Sequence, residues 1–296
     1  MVTLEKNIKS VKDKLPSEDI IVFEFDSLSG KRFAAIYADG IADKQLLGEL
    51  VAKPLRAAKS DEKLEDIKKL LASPEVKDGG KIEDAVKEIS DGNAVLFVDG
   101  EKEFFIIGLK NPPGRTVAEP PTQVAIKGPR EGFTEDIKTN LGLVRKRLKS
   151  DNLHVKTLKS GKQSDTSVAI IYIEGVCPEG LPERIEREIA SKQIDIVPDS
   201  SYISQFISKK PRSLFKRNGT AEKPDVFCAK ISEGRVGIIV DGSPIALTVP
   251  YMIVEDFQKQ SVRNKLYFEK LRRYVECRQK HTNNKRNQPE YTQYGR

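Results

Sequence analysis

Histidine and cysteine are scarce in this 296-residue chain: two His and three Cys. His154 and His281 are too few for a His-rich metal site. Cys177, Cys228 and Cys277 are odd in number and widely spaced, with no CxxC pair. That pattern favours free thiols in a reducing compartment over a disulfide framework. No GxxxxGK[ST] or GxGxxG loop is present, and no GxSxG elbow frames Ser167, Ser200 or Ser201. Cys177, next to Pro178, reads as a small buried residue, not a nucleophile. Long apolar runs are missing too. The N-terminal MVTLEKNIKSVKDKLPSED has no signal-peptide h-region, and the longest run, residues 168–173, suits a buried strand but not a bilayer span of roughly 20 residues. No catalytic constellation stands out, and the residues disfavour an enzyme; no cofactor or metal site is expected.

What is present is a charge-rich globular composition, 38% hydrophobic and 32% charged, long enough for two domains. The net charge of +7 is uneven: residues 259–296 hold eleven Lys/Arg against three Asp/Glu, leaving 40 against 41 in the rest. A nearly neutral body with a basic end weakens the case for a nucleic-acid groove within the fold.

In chain order, Leu4, Ile8, Val11 and Leu15 predict a helix over 4–14. Strands follow at 20–25 and 32–37, then a helix over 44–57 capped by Asp43, and helices at 63–71 and 82–89. Residues 94–98 and 103–107 flank Asp99-Gly100, which predicts a hairpin with a type I′ turn. Five prolines within 111–129 predict an extended, semi-rigid crossing. A helix is predicted over 133–149, with Thr134 as N-cap, Ile137, Leu141, Val144 and Leu148 as its buried stripe, and Arg145, Lys146, Arg147 and Lys149 complementing its dipole.

The second half echoes the first. Residues 168–173 end in Glu174-Gly175 as 34–38 end in Asp39-Gly40. A helix follows at 182–192. The hairpin 235–240/245–249 turns at Asp241-Gly242 as the earlier one turns at Asp99-Gly100. An internal structural repeat is therefore expected, and turn chemistry accounts for these acidic residues without an acid/base pair. Residues 200–223 read as helix then irregular loop. Residues 252–280 read as a basic helix with Tyr267, Leu271 and Tyr274 as its stripe, and 281–296 as disordered.

The expected fold class is α/β: two similar α/β subdomains with mixed sheets. They span residues 1–110 and 130–258, joined by the Pro-rich connection 111–129 and followed by a basic helix and disordered tail over 259–296. GPREGFTEDIKTN (128–140) lies between the halves. Gly128 and Arg130 before a helix suggest a phosphate site, but Glu131, Glu135 and Asp136 place anionic charge where phosphate would sit. The stretch reads instead as a junction, with Arg130 and Glu131 placed for ion pairs.

GPREGFTEDIKTNLGLVRKRLKS, VAIIYIEGV, EKPDVFCAKISEGRVGIIVDGSPIALTVP and VEDFQ together resemble the A subunit of GerA-type spore germinant receptors, and DKQLLGELVAKPL resembles that family's N-terminal helix. The resemblance covers about residues 15–258. It implies a non-enzymatic, soluble N-terminal portion with two α/β subdomains, on the cytoplasmic (spore-core) face of the spore inner membrane. It also implies B- and C-type receptor subunits as partners in the germinant response. Candidate interdomain or partner contacts are Arg130, Glu131, Phe133, Asp136, Asn140, Pro224 and Asp225. Two departures are visible. Glu276, Cys277, Arg278, Gln279 and Lys280 stand where the first membrane helix is expected, implying a truncated or altered paralogue. Gly219 and Lys223 replace the aromatic and arginine usual in that loop. Two other functions remain open: small-molecule binding in a cleft between the halves, and binding of nucleic acid or an anionic membrane surface through the basic tail, with nucleic acid the less expected.

Overall fold

Near-continuous apolar strands such as RFAAIYA and AVLFV are stable only when both faces are covered. The computed structural model covers them with helices on either side. It describes residues 4–59, 62–110, 129, 131–192, 194–207 and 218–252. The Pro-rich connection 111–128, Arg130 and the basic segment from 253 onward lie outside the described residues.

The first half runs α1 (Leu4–Lys14), β1 (Ile20–Asp26), β2 (Arg32–Ala38) and α2 (Lys44–Leu47). A π-helical turn over Gly48–Ala52 then leads to α3 (Lys53–Leu55), α4 (Leu64–Leu70), β3 (Val76–Gly79), α5 (Ile82–Ser90), β4 (Ala94–Val98) and β5 (Phe104–Ile107). The second half runs α6 (Ile137–Arg147), β6 (Leu153–Ser160), β7 (Thr166–Ile173), α7 (Leu181–Ala190), α8 (Ser200–Ile207), β8 (Gly219–Ala221), α9 (Pro224–Ser232), β9 (Val236–Val240) and β10 (Ala246–Val249).

Each half is a five-stranded sheet between two helical layers. The strand orders are β1-β2-β4-β5-β3 and β6-β7-β9-β10-β8, the same topology twice. One face of the first sheet packs α1 and α5 through Leu4, Ile8, Val11, Val86 and Ile89. The other packs the α2–α4 layer through Leu47, Val51, Leu55 and Ile67. In the second half α6 and α9 cover one face through Ile137, Leu141, Val144 and Phe227, and α7 and α8 the other through Ile185, Ile189 and Ile203.

The repeat extends beyond the turns. Residues 4–20 align without a gap on 137–153, and Asn7, Val11, Leu15 and Ser17 recur as Asn140, Val144, Leu148 and Ser150. Asp39 N–H donates to Asp19 O (2.8 Å) as Glu174 N–H donates to Asn152 O (2.9 Å).

Pairing direction differs from expectation: every strand pair in both sheets is antiparallel, not mixed. The crossovers β3–α5–β4 and β8–α9–β9 do return their strands parallel, but β5 or β10 lies between each such pair. The Asp99-Gly100 turn is also not type I′. Only Gly100 carries positive φ (+84°), and Glu101 N–H closes the turn on Val98 O at 3.2 Å. The helix read as 133–149 begins at Ile137, with Asp136 as its N-cap and not Thr134. Strands β3, β6 and β8 have no counterpart in the sequence reading. Among the described residues no helix is long and apolar enough to cross a membrane.

Candidate functional site

Helix α6 is the element on which both halves converge. An ordinary surface helix buries one stripe. Here Ile137, Leu141, Leu143 and Val144 join the core of the helix's own half, while Asn140, Gly142 and Arg145 are buried as well. The second set follows from what α6 meets.

Its N-terminus is fixed three ways. Asp136 accepts from Thr139 N–H at 2.7 Å. The Asn140 side chain, fully buried, accepts from Thr134 N–H at 2.8 Å and donates to Thr134 O at 2.6 Å, locking the approach loop. Asp241, from the β9–β10 turn, accepts from Ile137 N–H at 3.3 Å. Asp99, its repeat mate in the β4–β5 turn, accepts from Leu4 N–H at 3.1 Å at the start of α1. Both carboxylates thus complete the positive end of a helix that begins their own half.

Six of the nominated residues gather around α6 and α9. Glu131 pairs with Lys146 (2.9 Å) and Arg147 (2.6 Å), and its carboxyl is held below the usual range, chiefly by the Lys146 hydrogen bond. Phe133 meets Phe227 edge-on with centroids 5.3 Å apart, and its N–H donates to Glu222 O at 2.7 Å. Asp136 and Asn140 hold the start of α6, and Pro224 opens α9 at the position where a missing N–H costs nothing. Asp225 sits beside it in the first turn and accepts from Val226 N–H at 2.9 Å. These contacts lie within the second half; Arg130 is outside the described residues.

The contacts that cross between halves use other residues. Arg145, 1% exposed, forks onto Asp19: Nε to Oδ2 at 2.6 Å and Nη2 to Oδ1 at 2.7 Å. Nη2 also donates to Ser17 Oγ (3.0 Å) and Leu153 O (3.2 Å). Ser17 Oγ–H donates to Asp19 Oδ1 at 2.5 Å and Ser17 Oγ accepts from Val155 N–H at 2.8 Å. Residues 17–19 thereby pair along the outer edge of β6: Glu18 N–H donates to Val155 O at 3.0 Å, and Thr157 N–H to Glu18 Oε2 at 2.6 Å. That covers a sheet edge that would otherwise present unpaired backbone. Lys138 lies 3.9 Å from Asp39, and Lys149 pairs with Asp91, whose carboxyl is held low by hydrogen bonds from Lys110 and Lys149. Gly40 packs against the α6 backbone so tightly that an added Cβ would fall 2.5 Å from Lys138 O and 3.0 Å from Gly142 N.

Sequence reasoning assigned Arg145 only to the helix dipole. The available signal was its place beside Leu141 and Val144, on the buried flank of the stripe. The junction is a hydrogen-bonded seam. Two shallow grooves, of about 400 and 1030 Å³, lie on the first half around Lys63, Gly100 and Glu101.

Burial pushes the Cys177 thiol up to about 11 and the Cys228 thiol up to about 12, the reverse of an activated nucleophile. Among the described residues no group of three or more His, Cys, Asp or Glu is placed to hold a metal.

The family described as Bacillus/Clostridium GerA spore germination protein matches residues 6–277. Spore germination protein KA of Bacillus subtilis (strain 168) is 33% identical over 263 residues, covering 86% of this chain and 48% of the relative. Spore germination protein B1 of the same organism is 29% identical over 257 residues, covering 85% and 53%. The chain thus spans about half the length of these relatives. In structure it matches the N-terminal domain of the A subunit of the Bacillus megaterium spore germinant receptor GerK3. The TM-score is 0.63 and the identity 26%, over 85% of this chain and 96% of that one. The resemblance carried by GPREGFTEDIKTN, VAIIYIEGV and GIIVDGSPIALTV is therefore membership: this chain belongs to the GerA spore germination protein family.

Proposed function

We propose that this chain acts, without enzymatic chemistry, as the N-terminal module of a nutrient germinant receptor A subunit. In this role it associates with B- and C-type subunits at the core face of the spore inner membrane and takes part in the germinant response. The observation that carries the reading is the match, over 85% of this chain, to the N-terminal domain of a germinant receptor A subunit. The seam supports a mechanical contribution. A buried, bidentate Arg145–Asp19 pair makes two three-layer halves move as one block, so a displacement at one end is passed to the other. The test is affinity capture of the tagged chain from the detergent-solubilised spore inner membrane. Recovery of B- and C-type subunits supports the proposal. A chain found only in the soluble fraction, alone, contradicts it.

A further inference from the structure

The internal repeat gives each half a corresponding outer face, with Asn152 in the second half where the first has Asp19, and among the described residues a helix covers this face only in the first half. In the first half the face consists of residues 17–19, the turn at Asp39 and Gly40, Ile41, and the end of α5 at Asp91. Its counterparts are residues 150–152, Glu174 and Gly175, Val176, and the end of α9 at Glu233. The equivalence is structural as well as sequential. Ala42 N–H donates to Ala38 O (3.3 Å) as Cys177 N–H donates to Ile173 O (3.0 Å). A Cβ added to Gly92 would strike Ile41, and one added to Gly234 would strike Val176.

In the first half, α6 lies on this face. Arg145, Lys138 and Lys149 meet Asp19, Asp39 and Asp91, and the α6 backbone at Gly142 closes on Gly40. Ile41 is 4% exposed there. In the second half Val176 is 50% exposed. The Glu174 side chain, though bonded to His154 Nε2 at 3.0 Å, is 68% exposed. Gly175 has nothing within 4 Å of the place its Cβ would take.

We propose that this second-half face, formed by Asp151, Asn152, Glu174, Gly175, Val176 and Glu233, docks a basic helix of a partner protein as the first half docks α6. The template specifies the helix. It carries a glycine or other small residue opposite Gly175, as Gly142 lies opposite Gly40. It carries Lys or Arg within a turn on either side, to meet Glu174 and Glu233, the latter also paired with Arg235 at 3.0 Å. Helix α1 of a second copy does not meet the small-residue requirement. It is the repeat mate of α6 but has Lys9 where α6 has Gly142, which blocks the close approach. The inference rests on the internal geometry and stands apart from the receptor assignment.

The probe is a hydrocarbon-stapled, fluorescein-labelled peptide of the α6 sequence, IKTNLGLVRKRLK, titrated with the full chain by fluorescence anisotropy. The site for this helix in the first half is already filled, so binding reports the second. Saturable binding is expected that weakens at least tenfold between low and 0.3 M salt. It weakens at least tenfold again for the Asp151→Lys/Glu174→Lys variant, whose thermal melt is recorded to confirm folding. A peptide with Lys in place of Gly142 is expected to bind several-fold less tightly. Absence of binding at low salt, or equal binding by the charge-reversed variant, overturns the proposal. So does salt-sensitive self-association of the full chain that the same variant abolishes, because the occupant is then a second copy.

Discussion

Arg145 on α6 and Asp19 before β1, 126 positions apart, form a bidentate ion pair with side chains 1% and 3% exposed. Buried pairs seldom add net stability over an apolar isostere, but removing one partner strands the other charge. The contacts around them, from Ser17, Leu153 O and the edge of β6, make this pair the centre of the seam.

Arg145→Ala or Asp19→Ala is expected to destabilise the chain by about 3–5 kcal/mol, and Arg145→Lys by less, since lysine keeps the charge but loses the fork. In a double-mutant cycle by urea denaturation, the Arg145→Ala/Asp19→Ala chain should lose much less than the sum of the singles. Additive losses would show that the two side chains do not act as a pair.

Gly40 and Gly175 offer an internal control. Both have positive φ, +86° and +79°, so alanine carries a left-handed backbone cost of roughly 1–2 kcal/mol at either position. Only at Gly40 does the new Cβ strike backbone, 2.5 Å from Lys138 O. Gly40→Ala is expected to cost at least about 1 kcal/mol more than Gly175→Ala, by overpacking. Equal losses in thermal denaturation would mean that α6 does not press on that turn.

Acid should loosen the seam. Hydrogen bonds from Lys110 and Lys149 hold the Asp91 carboxyl below its ordinary value. A depressed folded-state pKa contributes stability that is fully present above the unfolded value, about 3.9, and is lost as pH falls through the lower folded value. Asp91→Asn should therefore lower stability at pH 7 and show a shallower decline below about pH 4 than the parent chain. Parallel pH profiles for the two chains would remove Asp91 from the account.

The two DG turns make a paired prediction. Asp241→Ala removes the acceptor for Ile137 N–H, and Asp99→Ala the acceptor for Leu4 N–H. Each is expected to cost about 0.5–2 kcal/mol, the range for losing a helix N-terminal acceptor. Asp241→Asn, which keeps an acceptor oxygen but not the charge, should fall between Ala and the parent. Hydrogen exchange at the first turn of α6 should rise in Asp241→Ala; unchanged exchange would refute the capping role.

Much of the fold was legible because its core strands are apolar throughout and its hairpins turn on glycine. The stripes Leu4-Ile8-Val11 and Ile137-Leu141-Val144 marked the two opening helices, and the VDG pair marked the repeat. The edge strands were not legible. β3 is only VKDG, β8 only GTA, and β6, LHVKTLKS, alternates apolar and basic residues because the sheet edge it forms is partly open. Strand direction also escaped, because the sequence does not show that β5 and β10 insert between parallel mates. Glu131, Phe133, Asp136 and Asn140 were nominated from their place around a helix start, and their contacts lie within the second half; the side chains that bridge the halves were not nominated. Arg145 looks like any basic residue in a last helical turn until Asp19 and Ser17 fold back beside it.

The two halves are expected to form one block held by the seam. The most direct measurement is a spin-label distance distribution between exposed positions of the two halves, Leu28→Cys and Ile196→Cys, with Cys177 and Cys277 replaced by serine. A single narrow distribution that broadens in the Arg145→Ala chain is the predicted result. A broad distribution with Arg145 intact, or one that Arg145→Ala leaves unchanged, would contradict it.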